Sequence, residues 1–183
     1  ITAVESPYAE DERMRKSRAA AEAILAATGI RKGYAIDYGC GEGRLAFALA
    51  KRTELTVIGV TADAGEAARA RAALRRAGIY GTRVTIQHRP LAKLGHTDSM
   101  FNLAVSSELL HNGTLPGERA ELLRVLRPSG GALALVILTW AFQRDRGAGG
   151  GNVGDANLAR QQGCGIHADG GVLGGQHRPL FGP

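Results

Sequence analysis

Tyr34-Ala35-Ile36-Asp37-Tyr38 is a short, mostly apolar run that ends in Gly39-Cys40-Gly41-Glu42-Gly43 and opens into a helical stretch, Leu45 to Lys51. A buried strand, a glycine-rich turn and a helix in that order constrain the chain more than any other feature. The strand must be covered on both faces, and the turn must bend tightly or let something approach the backbone. The pattern continues downstream. Leu55 to Val60 reads as a second buried strand, Gly65 to Ala77 as an Ala/Arg helix stopped by Gly78, and Arg83 to His88 as a third strand. Phe101 to Ser106 is a fourth strand, Gly117 to Leu126 a helix, and Ala132 to Leu138 a fifth strand. Before all of these, acids at Glu10, Asp11 and Glu12 precede bases at Arg13, Arg15, Lys16 and Arg18, which suits a helix dipole. Met14, Ala21, Ile24, Leu25 and Thr28 recur at helical spacing, so a first helix is expected from about Ala9 to Thr28, stopped by Gly29.

Strands alternating with helices imply an α/β fold. The expectation is a Rossmann-like, doubly wound, mostly parallel sheet of about five strands with helices on both faces. After Phe142 the composition changes: the last 41 residues hold 12 of the 26 glycines and show no sustained hydrophobic period. The reading is therefore a domain over 1–142 and a Gly-rich tail or linker over 143–183. No C-terminal strand pair is evident, so the apolar edge of strand five calls for a cover. The tail, a second subunit or a further domain would supply it.

Ligands of such sheets bind at the carboxyl ends of the strands, where strand order reverses. The turn here does not match the dinucleotide pattern G-x-G-x-x-G, because Arg44 stands where the third glycine would be. Its glycines fall at 39, 41 and 43, which argues against a pyrophosphate.

With its loop at Ile36 to Gly43, Val57-Ile58-Gly59-Val60 closing strand two, Phe101 to Val105 as strand four, and Leu123 to Gly131 leading into strand five, the chain resembles the class I S-adenosylmethionine-dependent methyltransferases. The resemblance covers roughly Glu10 to Leu138. It implies that S-adenosylmethionine is the cofactor, with Asp37, Gly39, Cys40, Gly41 and Gly43 around its methionine and ribose. Thr61 or Asp63 would meet the ribose hydroxyls and Ser106 would line the site. Glu108 and His111, after strand four, stand where the family places substrate-facing groups; the imidazole is a candidate general base. The bland readings are that His111 packs or caps and that Cys40 merely fills the turn. Two departures stand out. An acid usually follows strand two in the family, and here it is Thr61. The loop after strand three, His88-Arg89-Pro90-Leu91, carries no acid for an adenine. Each hydrogen bond to a charged group lost in this way removes about 1.5–3 kcal/mol.

The expected function is methyl transfer to an unknown, small-molecule acceptor. The alternative is a catalytically degenerate module that binds a partner or forms part of a larger protein. The net charge of +6 and a basic cluster at Arg69, Arg71, Arg75 and Arg76 leave a nucleic-acid acceptor open. Few aromatics lie near that cluster to stack on bases, so nucleic acid is not favoured. No metal is expected: Cys164, His167, Asp169 and His177 lack a paired Cys-x-x-Cys half. Asn112-Gly113-Thr114 is a glycosylation pattern common by chance. The longest apolar run, Ala132 to Phe142, is too short for a membrane helix, which needs ~20 residues. A cytoplasmic setting is the default expectation, and two cysteines suit a reducing compartment.

Overall fold

A computed structural model describes residues 5–135 and the pair 167–168. In chain order the elements are α1 (Glu12–Thr28), β1 (Lys32–Tyr38), α2 (Arg44–Arg52), β2 (Glu54–Thr61), α3 (Ala64–Arg76), β3 (Val84–His88), β4 (Leu103–Val105), α4 (Ser107–Asn112), α5 (Arg119–Val125), β5 (Ala132–Leu133) and β6 (His167–Ala168). The sheet order is β3-β2-β1-β4-β5-β6. The first five strands are parallel, as the alternation predicts. The sixth, from the Gly-rich tail, pairs antiparallel with β5 through Ala132–Ala168 and Leu133–His167. Nothing in the sequence announces that strand, because two residues carry no hydrophobic period and the pairing is made by backbone alone.

Several boundaries shift for local reasons. Helix α1 begins at Glu12 rather than Ala9 because the Asp11 side chain accepts from Met14 N at 2.7 Å and so fixes the cap. It stops where expected, at Gly29, whose φ of 67° suits glycine. Strand β4 is only Leu103–Val105, because Ser106 serves as the N-cap of a helix that the sequence reading missed, α4. Residues 136–142 and most of the 143–183 tail lie outside the described residues, so the expected extent of strand five and the role of the tail do too.

Alternation along the central strands splits the core into two layers. Ala35 of β1 and Leu55 and Val57 of β2 face a cluster with Met14, Ile24, Phe47 and Leu49. Ile36, Tyr38, Ile58 and Val60 face the other side, with Phe101, Leu122 and Val125. Helix α2 is buried from Leu45 through Ala50 without a break. It lies between the sheet and α1, so even its lateral positions are dry. This fixes the glycine loop from behind. Cys40 N donates to Val60 O at 2.9 Å and ties the loop to the end of β2. Strand order reverses between β1 and β4, and the loop leaves β1 at that switch point.

Candidate active site

A cleft with an interior of about 150 Å³ opens beside the glycine loop at the switch point. Gly39, Cys40 and Gly41 form its floor, and Glu42 stands on its rim. Glu66 and Arg69 of α3 stand on one side, and Ser107, Glu108, His111 and Asn112 of α4 on the other. Arg13 and Arg44 complete the rim.

Two glycines are needed for different reasons. Gly39 has φ 69°, and a Cβ there would lie 2.7 Å from Glu108 Cβ and 2.8 Å from Pro116 Cγ. Its bare backbone lets α4 approach the loop. Gly41 has φ 52° and would meet nothing within 4 Å, so it faces open space on the cleft floor. That is backbone a ligand can reach.

Asp37 is fully buried at the end of β1. Ser107 N donates to its Oδ1 at 2.8 Å and Ser107 Oγ donates to its Oδ2 at 2.7 Å. Burial raises this carboxyl to about 6, against the pull of those bonds. Asp37 does not line the cleft. The resemblance points to an Asp37 that meets the cofactor directly or through water, whereas this structure turns both oxygens to Ser107. The residue that reaches the cleft from this pair is therefore Ser107. Ser106, the other serine, is spent on structure: its Oγ donates to Tyr38 O at 2.7 Å and accepts from Leu109 N at 3.2 Å.

Cys40 borders the cleft, but its thiol packs on β2. A Cβ at Gly59 would sit 2.8 Å from Cys40 Sγ, so the strand glycine makes room for it. Burial pushes the thiol well up, which leaves it a packing group and not a nucleophile.

Thr61 and Asp63 part company. Thr61 is buried, and its Oγ1 donates to Glu66 Oε2 at 2.9 Å. Asp63 is exposed and outside the cleft; its Oδ1 accepts from Glu66 N at 2.6 Å as the N-cap of α3. Glu66 was not singled out by sequence. The signal was there: Asp63-Ala64-Gly65-Glu66 is a capping-box pattern, which marks the fourth residue as one held near the helix start. After β3, His88 lies exposed with Nε2 3.1 Å from Ala62 O, and Arg89 donates to Leu94 O at 2.6 Å.

On the opposite wall, His111 is half-buried with Nε2 3.2 Å from Ser17 Oγ. Burial first, then the positive field of Arg13, Lys16 and Arg44, depresses the imidazole to about 4, although Glu108 opposes the shift. It is therefore neutral at pH 7. Glu108 Oε1 accepts from Asn112 Nδ2 at 2.6 Å. The rim is strapped by Glu42, which accepts from Arg69 Nε at 2.9 Å and from Arg44 Nη1. Arg44 also reaches Asp11 at 3.1 Å and stacks on Tyr8. Its Nε, buried, finds no partner. Among the described residues no group of three or more His, Cys, Asp or Glu could hold a metal, and Cys164, Asp169 and His177 lie outside them.

Comparison with known proteins decides the family. Residues 35–130, more than half of the chain, match the methyltransferase domain family. The chain belongs to that family. Its fold matches a putative S-adenosyl-L-methionine-dependent methyltransferase from Methanococcus maripaludis with TM-score 0.59 and 25% identity, over 66% of this chain and 55% of that one. A SAM-dependent methyltransferase from Aquifex aeolicus matches with TM-score 0.55 and 19% identity, over 70% of this chain and 73% of that one. A geranyl diphosphate methyltransferase, seen in complex with GPP and sinefungin, matches with TM-score 0.54 and 24% identity, over 64% and 44%. The chain thus spans 55% of the first of these structures and 44% of the last. No curated protein matches the sequence. No helix among the described residues is long and apolar enough to cross a membrane.

The donor set of this cleft fits a zwitterionic nucleoside amino acid. Open backbone at Gly41 offers close approach, Glu66 and Ser107 offer polar contacts to hydroxyl and amino groups, and the partnerless Arg44 Nε offers a donor to a carboxylate.

Proposed function

We propose that this chain transfers a methyl group from S-adenosylmethionine to a small-molecule acceptor. The observation that carries this reading is the cleft itself. It sits at the β1/β4 switch point of a methyltransferase-family sheet, with open glycine backbone on its floor and a neutral imidazole on its wall. When bound, the cofactor supplies an electrophilic methyl group. The residues of this chain do the rest. The Gly39–Gly43 loop and Ser107, itself oriented by buried Asp37, hold the methionine end; Arg13 and Arg44 favour its carboxylate. His111 lines the cleft in the unprotonated form that accepts a proton from an acceptor O–H or N–H, with Ser17 fixing its ring through Nε2. Methyl transfer of this kind needs positioning and a proton route, not a covalent intermediate on the protein.

A small acceptor suits the site better than nucleic acid. Three members of the basic cluster are committed within the fold. Arg69 pairs with Glu42, Arg71 donates to Ile86 O at 3.0 Å, and Arg75 stacks 4.9 Å over the Tyr80 ring. A free, buried Cys40 accords with a reducing, cytoplasmic setting. The test is calorimetric titration of the protein with S-adenosylmethionine and S-adenosylhomocysteine, beside Gly41→Arg. Micromolar binding by the natural sequence, lost in the variant, is expected. Folded protein that binds neither ligand at millimolar concentration points instead to a non-catalytic binding module.

A further inference from the structure

Three carboxylates line the cleft, and they are partnered differently. Glu42 on the rim is paired with Arg44 and Arg69. Glu66 takes the Thr61 hydroxyl at 2.9 Å, with Arg69 one turn along the same helix. Glu108 on the opposite wall takes only the uncharged amide of Asn112, at 2.6 Å on Oε1, and no cation pairs with it among the described residues. Its stem is held in place: a Cβ at Gly39 would lie 2.7 Å from Glu108 Cβ, so the side chain rests on the bare backbone of the loop. His111 lies one turn further along α4, and residues three apart on a helix share a face. Both line the cleft, and the charge of Glu108 is felt at the imidazole. Ser17 Oγ, 3.2 Å from His111 Nε2, holds that ring from behind.

A half-buried carboxylate with one oxygen unpartnered, beside a neutral imidazole, discriminates among methyl acceptors. It repels an anionic one, and the rim offers such an acceptor little in return, because Arg44 and Arg69 are tied to Glu42. A hydroxyl must give up a tightly held proton before it attacks, and His111, depressed to about 4, is a weak base for that task. We propose that the acceptor is a primary or secondary amine and that Glu108 selects it, receiving its N–H groups beside His111. The resting ammonium passes one proton through His111 to water. The nitrogen then bonds to the methyl carbon, and the carbon–sulfur bond breaks with its electron pair staying on sulfur. Positive charge thereby moves onto the nitrogen, against the Glu108 carboxylate, which stabilises it as it develops. This rests on the reading of the cleft as an S-adenosylmethionine site and names the class of its second substrate.

The experiment loads the protein with S-adenosylhomocysteine and titrates it at neutral pH with three probes matched in size: butylammonium, butanol and butyrate. The proteins are the natural sequence, Glu108→Gln and Glu108→Asp, each checked first by thermal melting and by its affinity for S-adenosylhomocysteine. The natural protein is expected to bind butylammonium at least tenfold more tightly than either other probe. Glu108→Gln should lose that preference to within twofold while keeping its S-adenosylhomocysteine affinity, and Glu108→Asp should keep part of it. Butanol or butyrate bound as well as butylammonium, or no binding of any probe to the loaded protein, overturns the proposal and leaves the cofactor reading intact. A preference that survives in Glu108→Gln overturns it too. Should Glu108→Gln melt early, the natural protein and Glu108→Asp decide, and an undiminished preference for butyrate in either refutes the amine. If the natural sequence binds no S-adenosylhomocysteine, the cofactor reading falls and takes this one with it.

Discussion

Two acids bracket the glycine loop, and the chain holds them by opposite means. At the entry, Asp37 is sealed from water and is held by hydrogen bonds from Ser107 and from the backbone of Ala46. Burial outweighs its hydrogen bonds and raises the carboxyl to about 6. At the exit, Glu42 stands on the rim. Burial pushes it up as well, but hydrogen bonds from Arg44 and Arg69 win and leave it below the ordinary glutamate range. The difference follows from access to cations. Nothing charged reaches Asp37, so its worth lies in geometry: it sets the start of α4 and aims Ser107. Glu42 trades with two guanidinium groups, so its worth lies in tying α2 and α3 across the mouth.

The entry side should be the fragile one. Gly39→Val places a branched side chain at φ 69° against Glu108 and Pro116. Left-handed backbone strain and overpacking together cost about 2–5 kcal/mol. Urea unfolding checks this, with a midpoint well below that of the natural sequence. A change under about 0.5 kcal/mol would show that α4 is free to back away from the loop, and the contrast between the two ends would dissolve.

The next effect is in the pH profile. A buried acid with a raised value binds its proton more tightly in the folded state than in the unfolded one. Stability from Asp37 is therefore greatest below about 4 and falls as pH rises to about 6. A shift of about two units corresponds to about 3 kcal/mol. His111 runs the other way. Its folded value is depressed to about 4, so its contribution is present above 6.5 and is lost as pH falls toward 4. It is half-buried, and solvent screening reduces its share to about 1–2 kcal/mol. The two slopes oppose each other in one window. Asp37→Asn, which can still pair with Ser107, should unmask a stability that rises with pH from 4 to 6.5. His111→Gln should unmask one that falls from 4 to 6. Denaturant midpoints across pH 4 to 7 for both single variants and the double variant decide it. Parallel profiles for all four proteins would mean that neither group titrates as its burial dictates.

These contrasts also explain what the sequence could and could not convey. The loop and its flanks were legible because each signal is local: an apolar strand, glycines at 39, 41 and 43, then an unbroken apolar helix. The mostly parallel sheet with helices on both faces followed from the alternation of strands and helices, while the order of its strands came from the fold. Helix α4 was missed because Ser107–Asn112 is six residues, too few to show a period, although Ser106 and Gly113 bracket it as cap residues. Asp37 was correctly placed at the end of β1, but its burial behind Ser107 depends on α4 and so on long-range packing. Glu66 was hidden because it lies in the first turn of α3, beyond the Thr61 and Asp63 that follow the apolar run of β2. Its capping-box pattern predicts a backbone partner, and only the fold shows Thr61 taking that partner away.

The exit side should be the tolerant one, and Arg69→Ala measures how tolerant. Its guanidinium is mostly in water, with 60% of the side chain exposed, and it shares Glu42 with the better-buried Arg44. An exposed pair of this kind contributes little, because solvent screens the attraction and ordering a long side chain offsets part of the gain. The expected loss is about 0.2–0.5 kcal/mol at low salt, and none at 1 M salt, where charges more than ~3 Å apart are screened. Thermal melts at the two salt concentrations separate the cases. A loss above about 1 kcal/mol that survives high salt would mean that Arg69 packs as well as pairs. The rim would then be a second rigid end of the loop, and the contrast between a sealed acid and a paired one would no longer predict where the cleft resists substitution.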